Sequence, residues 1–214
     1  YDHVKQGKRQ PGSLFKPFVY TAAIDNGFSP CFNVPDVAIT IDLEDGKRWS
    51  PRNADGKFTG KMLTLRQGLA RSINSVTAGV MKQVGPPMVI SYARRMGIEG
   101  FLDPTPSLCL GTSDVSVYEI VSAYCTFVNG GVWTEPLLIT RIEDKNGNVL
   151  EEFIPKTVEA LSEETAFKMI YMMRGATEEK EGTALALRGG KYKMYTEIAA
   201  KPGTTHNYSD GWFV

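Results

Sequence analysis

The stretch Arg9-Gln10-Pro11-Gly12-Ser13-Leu14-Phe15-Lys16-Pro17-Phe18 places a hydroxyl and an amine three residues apart, where a loop turns into a helix. Pro11 and Gly12 predict the turn that precedes the helix. If Ser13 opens that helix, Lys16 lies almost one turn further along the same face. A lysine whose amine is desolvated can act as the base that activates a serine hydroxyl. The alternative is a capping serine and a solvated lysine, and Ser-x-x-Lys alone does not decide between them.

Composition indicates an ordinary globular chain. Its 24 basic and 24 acidic residues cancel, so no bulk charge favours nucleic acid or an anionic membrane surface. No apolar run approaches the ~20 residues of a membrane span. Cys31, Cys109 and Cys125 lack metal-ligand spacing, and we expect buried free thiols, with a Cys109–Cys125 disulfide as the alternative. His3 and His206 are too few and too far apart to indicate a metal site, and no cofactor is expected.

Apolar periodicity and capping residues predict helices along much of the chain. Residues 14–26 carry an apolar stripe and end at an Asn-Gly pair. Thr64-Leu65-Arg66-Gln67 has the form of a capping box, and valines spaced four apart predict a second helical run that ends at Gly85. We also predict helices over 88–96, over 115–129 with a start at Ser113-Asp114, and from Ser162 to about residue 175.

Ser72-Ile73-Asn74 lies between two of these helical runs. In an unbroken helix, positions two apart point about 200° away from one another, so Ser72 and Asn74 would not face one site. Either they are unrelated polar residues or the helix breaks between the two runs.

The strands are predicted to be short. Residues 37–43 alternate like a strand and 49–56 form a loop, while 137–143 and 149–153 flank an Asn-Gly turn that predicts a hairpin. Residues 178–191 are charged and glycine-rich, which predicts a mobile surface loop. Residues 196–200 and 211–214 predict two strands joined across 204–210.

Lys201-Pro202-Gly203-Thr204-Thr205 lies in that last region. A lysine and hydroxyl residues can bind a carboxylate, and a glycine in a strand lets a substrate backbone approach closely. Taken alone, the segment is better explained as a strand that ends in a polar turn.

Ser-x-x-Lys, Ser-x-Asn and Lys-x-Gly occur here in the order found in penicillin-binding proteins and class A β-lactamases. Over nearly its whole length the chain resembles the transpeptidase domain of class A, bifunctional penicillin-binding proteins, and the Arg-Gln-Pro-Gly-Ser lead-in favours that class over a β-lactamase. The resemblance also rests on residues 49–56, 70–74, 110–113, 123–131, 135–136 and 210–213. It implies an α+β fold, similar to penicillin-binding proteins and serine β-lactamases, in which helices and an all-α subdomain flank an antiparallel sheet.

The resemblance further implies that residues 1–214 are one partial transpeptidase domain without the family's first and last strands, so that the sheet is incomplete. It places a glycosyltransferase domain and a membrane anchor upstream of this chain. We therefore expect the parent protein at the periplasmic face of the bacterial inner membrane, in a complex that synthesises the cell wall.

The same resemblance assigns roles to individual residues. Ser13 is expected to attack the D-Ala-D-Ala carbonyl of a peptidoglycan stem peptide, with Lys16 as its general base and Ser72 and Lys201 relaying protons. Asn74 is expected to hold the acyl donor. The backbone N–H groups of Ser13 and Thr204 would form the oxyanion hole, and Gly203, Thr204 and Thr205 would line the substrate edge. β-Lactams, which resemble the donor, would acylate Ser13. Two lysines beside one serine would also lower each other's pKa.

One departure from the family concerns Pro202, where the family has Thr or Ser, and Ala200, where it usually has Gly. Proline removes a backbone donor and a hydroxyl that helps to hold the substrate carboxylate. We therefore expect weaker carboxylate binding and reduced penicillin affinity.

Two alternatives to a transpeptidase stay open. A serine D,D-carboxypeptidase or β-lactamase would pass the acyl group to water, although the deacylating glutamate motif of class A β-lactamases is not found in the sequence. A catalytically silent domain that binds peptidoglycan or a partner protein is the second alternative, and Pro202 is its best support.

Overall fold

A computed structural model describes residues 1–43, 45–205 and 209–214 as a mixture of helices and short antiparallel strands. The α-helices are α1 (Lys16–Asp25), α2 (Leu65–Ala70), α3 (Asn74–Val84), α4 (Pro86–Arg95), α5 (Val117–Val128) and α6 (Glu163–Glu178). Three 3₁₀ turns cover Gly12–Phe15, Pro106–Leu110 and Leu185–Leu187.

The strands of the described part form two-stranded antiparallel ladders. They are β1 (Lys8–Arg9), β2 (Asn33–Pro35), β3 (Ile41–Asp42), β4 (Arg48–Trp49), β5 (Met62–Thr64), β6 (Val115–Ser116), β7 (Val132–Thr134), β8 (Arg141–Glu143), β9 (Val149–Glu152), β10 (Thr157–Glu159), β11 (Pro202–Thr204) and β12 (Gly211–Phe213). The pairs are β1–β6, β2–β5, β3–β4, β7–β10, β8–β9 and β11–β12.

Helix α1 is the centre of the fold, and it is buried on every side. All nine residues from Lys16 to Ile24 are buried, and α1 packs against α2, α3, α4 and α6. The residues of the predicted apolar stripe are all buried, and the burial extends to the other faces of α1 because helices surround it. Lys16, fully buried at the start of this helix, needs polar partners within the protein.

Capping residues fix where the surrounding helices begin. Thr64 forms the predicted capping box with Gln67 at the start of α2, and Ser162 caps α6 as predicted. The predicted start of α5 at Ser113-Asp114 is wrong, because Val115 and Ser116 first pair with β1. Ser116 then caps α5 in a second capping box with Glu119.

The chain breaks between α2 and α3, which resolves the question raised by Ser72-Ile73-Asn74. Ser72 has a φ of 56°, in the left-handed region, and Ile73 is extended. Helix α3 then restarts at Asn74. Because the backbone reverses hand at Ser72, Ser72 and Asn74 are free of the 200° separation that one continuous helix would impose.

Three strand and loop predictions need correction. Strand β11 covers Pro202–Thr204 rather than residues 196–200, so the Lys-x-Gly segment is itself the strand, and the link to β12 includes residues 206–208, outside the described residues. Residues 178–191 are not a free loop, since Thr183 and Ala184 donate backbone hydrogen bonds to Ala70 and Ala176. In the 37–43 segment only Ile41–Asp42 form a strand. The hairpin across the Asn-Gly turn is confirmed as β8–β9.

The cysteines are free, so the Cys109–Cys125 disulfide is not formed. Cys109 is buried as expected, whereas Cys31 and Cys125 are exposed, which corrects the prediction of three buried thiols. Across residues 1–43, 45–205 and 209–214 no cluster of His, Cys, Asp and Glu side chains could hold a metal ion; His206 is outside these ranges. None of the described helices has the length and apolar character needed to cross a bilayer.

Candidate active site

The 3₁₀ turn Gly12–Phe15 brings Ser13 and Lys16 together at the start of α1. The backbone N–H of Lys16 donates to the Ser13 carbonyl, so the two residues are one turn apart. Ser13 is half-buried, while Lys16 is fully buried. The Tyr124 hydroxyl donates to the Leu14 carbonyl at 2.8 Å and ties this turn to α5. The turn therefore places a half-buried serine one turn before a lysine whose amine is desolvated.

The break between α2 and α3 directs three acceptors at the Lys16 amine. Nζ of Lys16 donates to the Ser72 carbonyl at 2.6 Å, to Ser72 Oγ at 3.1 Å and to Asn74 Oδ1 at 2.6 Å. The structure thus brings Lys16, Ser72 and Asn74 together. Among the described residues the Ser13 hydroxyl makes no hydrogen bond, so it is available to a substrate and to a base.

Lys201 also contacts the Ser72 hydroxyl. It immediately precedes β11, is 1% exposed, and donates from Nζ to Ser72 Oγ at 2.9 Å and to the Pro202 carbonyl at 2.8 Å. Ser72 Oγ therefore lies between two buried lysine amines. A hydroxyl can donate and accept at once, so Lys16, Ser72 and Lys201 form a continuous path for a proton.

Both amines have lowered pKa values. Burial lowers the pKa of Lys16 to about 7, although the nearby Cys109 thiol opposes this shift slightly. Burial also lowers the pKa of Lys201 well below its ordinary value, and the charge of Lys16 lowers it further. Near neutral pH the pair therefore includes an uncharged amine that can accept a proton. Burial in the same region raises the pKa of Cys109 to about 12, which keeps that thiol neutral.

Strand β11 lies in direct backbone contact with the Ser13 turn, and two glycines permit this. A Cβ on Gly203 would meet the Pro11 carbonyl oxygen at 2.7 Å and would collide with the Leu14 side chain. A Cβ on Gly12, whose φ is 55°, would meet the Thr204 carbonyl oxygen at 2.7 Å. The open edge of β11 consequently lies beside Ser13.

Hydrogen bonding along β11 shows which backbone groups face that edge. Lys201 and Val214 exchange N–H···O bonds of 2.7 and 3.2 Å, and the Thr205 N–H donates to the Asp210 carbonyl at 3.2 Å. Since backbone groups alternate along a strand, the nitrogens of Pro202 and Thr204 point away from β12. Pro202 therefore costs no bond in the β11–β12 ladder, and the donor it removes is one on the open edge.

The remaining predicted residues occupy distinct positions. Thr204 is exposed at the edge. The Thr205 hydroxyl accepts the Asp210 N–H at 2.8 Å, so its oxygen already holds the end of the ladder. Trp212 of β12 donates from its indole to the Gln10 carbonyl at 3.0 Å, which joins the second strand to the segment before Ser13.

The sequence did not predict the hydrogen bonds that hold the Asn74 side chain and the adjacent loop in place. Asn74 Nδ2 donates to the Arg52 carbonyl at 2.8 Å, and the neighbouring Asn53 belongs to a buried group with Asp36 and Ser75. Proline and turn residues identified 49–56 as a loop, but no local pattern connects Asp36 with Ser75, 39 positions later.

Comparison with known proteins identifies the family. The model of the penicillin-binding protein transpeptidase domain matches residues 2–214. Penicillin-binding protein 1A of Neisseria meningitidis is 33% identical over 222 residues, which cover 100% of this chain and 27% of the relative. Penicillin-binding protein 1A of Aquifex aeolicus is 33% identical over 215 residues, which cover 100% of this chain and 28% of that protein. The chain thus spans little more than a quarter of the length of these relatives.

Solved structures share the fold. Penicillin-binding protein 1A from Haemophilus influenzae superimposes with a TM-score of 0.88 at 24% identity, covering 100% of this chain and 37% of that one. The PonA1 protein from Mycobacterium tuberculosis in complex with penicillin V gives a TM-score of 0.80 at 20% identity, covering 100% of this chain and 58% of that one. The predicted α+β fold of penicillin-binding proteins is confirmed.

Proposed function

Because the chain belongs to the penicillin-binding protein transpeptidase family, we propose that it is a peptidoglycan D,D-transpeptidase that works through a serine acyl-enzyme. The observation that carries this proposal is that Ser72 Oγ lies between the buried amines of Lys16 and Lys201. Lys16 in turn follows Ser13 by one helical turn. Buried lysines with lowered pKa values suit proton transfer at neutral pH.

In the acylation step, Ser13 Oγ attacks the carbonyl of the penultimate D-Ala of a stem peptide. Neutral Lys16 takes the hydroxyl proton, and a C–O bond forms. The N–H groups of Ser13 and Thr204, on the turn and on the open edge of β11, stabilise the oxyanion. The C–N bond then breaks, and the departing D-Ala amine receives a proton along the path through Ser72. The product is an ester of Ser13.

In the second step, the amine of another stem peptide attacks the ester carbonyl. A C–N bond forms, the C–O bond to Ser13 breaks, and the proton of the attacking amine returns to the Ser13 oxygen. The lysine pair ends in its starting protonation state, so Lys16 serves as base in one step and supplies the proton in the next. Asn74 holds the donor peptide beside Lys16 throughout.

β-Lactams are the second class of ligand in this proposal. Attack by Ser13 opens the lactam C–N bond, but the leaving nitrogen stays tethered within the adduct, so the ester persists. A solved structure of penicillin-binding protein A from Mycobacterium tuberculosis is a penicillin G acyl-enzyme complex. This chemistry in a protein of the same fold supports the proposal. Peptidoglycan lies outside the cytoplasm, so the proposed function implies that the parent protein works there. In this proposal the parent protein has a membrane anchor and belongs to a complex that synthesises the cell wall.

A silent binding domain is the second candidate, and Pro202 favours it. Its nitrogen lies on the edge of β11 where the family offers a substrate-facing donor, so donor binding loses one hydrogen bond. The lysine pair, Ser72, Gly203 and Thr204 are nevertheless all in place, and we favour an active transpeptidase.

The test uses a D-Ala thioester donor together with a D-amino acid acceptor. A transpeptidase gives a new amide whose yield rises with acceptor concentration, and Ser13→Ala gives none. Hydrolysis alone, independent of acceptor, would identify a carboxypeptidase. The absence of both products in a folded protein would contradict the proposal and favour the binding domain.

A further inference from the structure

The carboxamide of Asn74 is held at both ends. Its Oδ1 accepts the Lys16 amine at 2.6 Å, and its Nδ2 donates to the Arg52 carbonyl at 2.8 Å. An amide whose oxygen and nitrogen each have a fixed partner cannot flip without losing both hydrogen bonds. The position of the Arg52 carbonyl therefore decides whether Asn74 presents an acceptor to Lys16.

The loop that contains Arg52 is anchored by a buried carboxylate. Asp36 is 1% exposed, and its Oδ1 accepts Ser75 Oγ at 2.6 Å and Asn53 Nδ2 at 2.8 Å. Its Oδ2 accepts the Thr59 backbone N–H at 2.9 Å and the Thr59 hydroxyl at 2.7 Å. Burial alone would raise the pKa of Asp36, but the hydrogen bonds from Ser75, Thr59 and Asn53 outweigh it, so the carboxylate is ionised.

Asn53 connects this carboxylate to Arg52, the hydrogen-bond partner of Asn74, and to Ser75, the residue after Asn74. Its side-chain oxygen accepts the Ser75 N–H at 3.0 Å, and its amide also donates to the Lys57 carbonyl at 2.8 Å. Arg52 directly precedes Asn53, and Ser75 directly follows Asn74. Asp36 consequently fixes the loop that supplies the Arg52 carbonyl and the first turn of the helix that carries Asn74.

We propose that Asp36 is a positioning residue for the active site, which sets the orientation of Asn74 through Asn53 and Ser75 and thereby the hydrogen bonding of Lys16. This inference rests on the proposed function, in which neutral Lys16 activates Ser13. Asp36 itself touches no reacting atom.

A positioning role for Asp36 predicts a change in the pKa of Lys16 that a purely structural role would not cause. Asn74 Oδ1 stabilises the charged form of Lys16, so losing this acceptor lowers the pKa of the amine further. The other titratable groups that face Lys16 are Lys201 and Cys109, and neither contacts Asp36. If Asn74 is no longer held in place, the acidic limb of the pH–rate profile of Ser13 acylation should therefore move to lower pH. The rate on the plateau above that limb should also fall.

The test compares Asp36→Asn with Asp25→Asn. An amide at position 36 directs an N–H₂ group at donors that now meet a carboxylate oxygen. Asp25 is the matched control because it also accepts side-chain hydroxyls, from Tyr92 at 2.6 Å and Thr165 at 2.7 Å. It lies at the far end of α1, about 13 Å along the helix from Lys16.

The measurements are the Ser13 acylation rate by benzylpenicillin from pH 5 to 9 and the melting temperature of each protein. We expect Asp36→Asn to reduce the plateau rate about tenfold or more and to move the acidic limb down by about one pH unit. Asp25→Asn should lower the melting temperature and leave the rate and the limb unchanged.

Equal melting losses in both variants, with an unchanged rate and limb in Asp36→Asn, would overturn the positioning role. If Asp36→Asn does not fold, Ser75→Ala removes one of its hydrogen bonds, and an unmoved limb in that variant would equally overturn the proposal. A wild-type protein that is never acylated at Ser13 would instead refute the proposed function, on which the inference rests.

Discussion

The pH dependence of acylation follows directly from the burial of Lys16. The base must be neutral to accept the Ser13 proton, and burial lowers its pKa to about 7. Roughly one tenth of the amine is neutral one pH unit below its pKa and roughly nine tenths one unit above it. We therefore expect the acylation rate to rise about tenfold between pH 6 and pH 8 and then to level off. An amine with an ordinary lysine pKa would give roughly a hundredfold rise over that interval, without a plateau.

The assay measures the rate at which a fluorescent penicillin labels the protein under pseudo-first-order conditions. Circular dichroism at each pH confirms that the fold is intact. Lys16→Arg is the matched variant, because a guanidinium keeps the charge but does not lose its proton in a protein. Its acylation should be very slow at every pH. A wild-type rate that is constant from pH 6 to pH 8, or a Lys16→Arg variant with the wild-type profile, would refute Lys16 as the base.

Three further substitutions probe the surroundings of Ser13. Gly203→Ala should slow acylation about a hundredfold, because its Cβ would meet the Pro11 carbonyl oxygen at 2.7 Å and push β11 from the turn; wild-type rates would contradict this contact. Pro202→Thr should speed acylation by benzylpenicillin roughly two- to tenfold, the value of one hydrogen bond, and an unchanged rate would show that the edge donor is not used. Tyr124→Phe leaves the buried Leu14 carbonyl without its 2.8 Å donor, so urea unfolding should show a loss of about 1–3 kcal/mol, and a loss near zero would contradict that role.

Local signals predicted the parts of the fold that local interactions determine. The capping box at Thr64, the cap at Ser162 and the β8–β9 hairpin depend on residues within a few positions of each other, and the structure confirms them. The predicted start of α5 was wrong for a reason that is not local, since pairing with β1 extends the chain up to Ser116. The apolar stripe on α1 is buried as predicted, but only the tertiary fold shows that helices surround α1 and bury its other faces as well.

The residues of the candidate site likewise divide into those that local sequence predicted and those that depend on tertiary packing. Residue types and order identified the groups at Ser13, Ser72 and Lys201, and the structure brings Lys16, Ser72 and Lys201 into contact. Sequence left open whether Ser72 and Asn74 face one site, because a break requires the left-handed backbone at Ser72. Asp36 carried no signal at all, since its partners are 17 to 39 positions away. Such networks form only when distant segments pack together.

Intact mass spectrometry after incubation with benzylpenicillin, followed by peptide mapping, asks whether Ser13 is the nucleophile. We expect a lasting mass increase of one drug molecule on the peptide that contains Ser13, and no increase in Ser13→Ala. An unmodified wild-type protein that is well folded, or an adduct that persists in Ser13→Ala, would contradict the acyl-enzyme mechanism at this site.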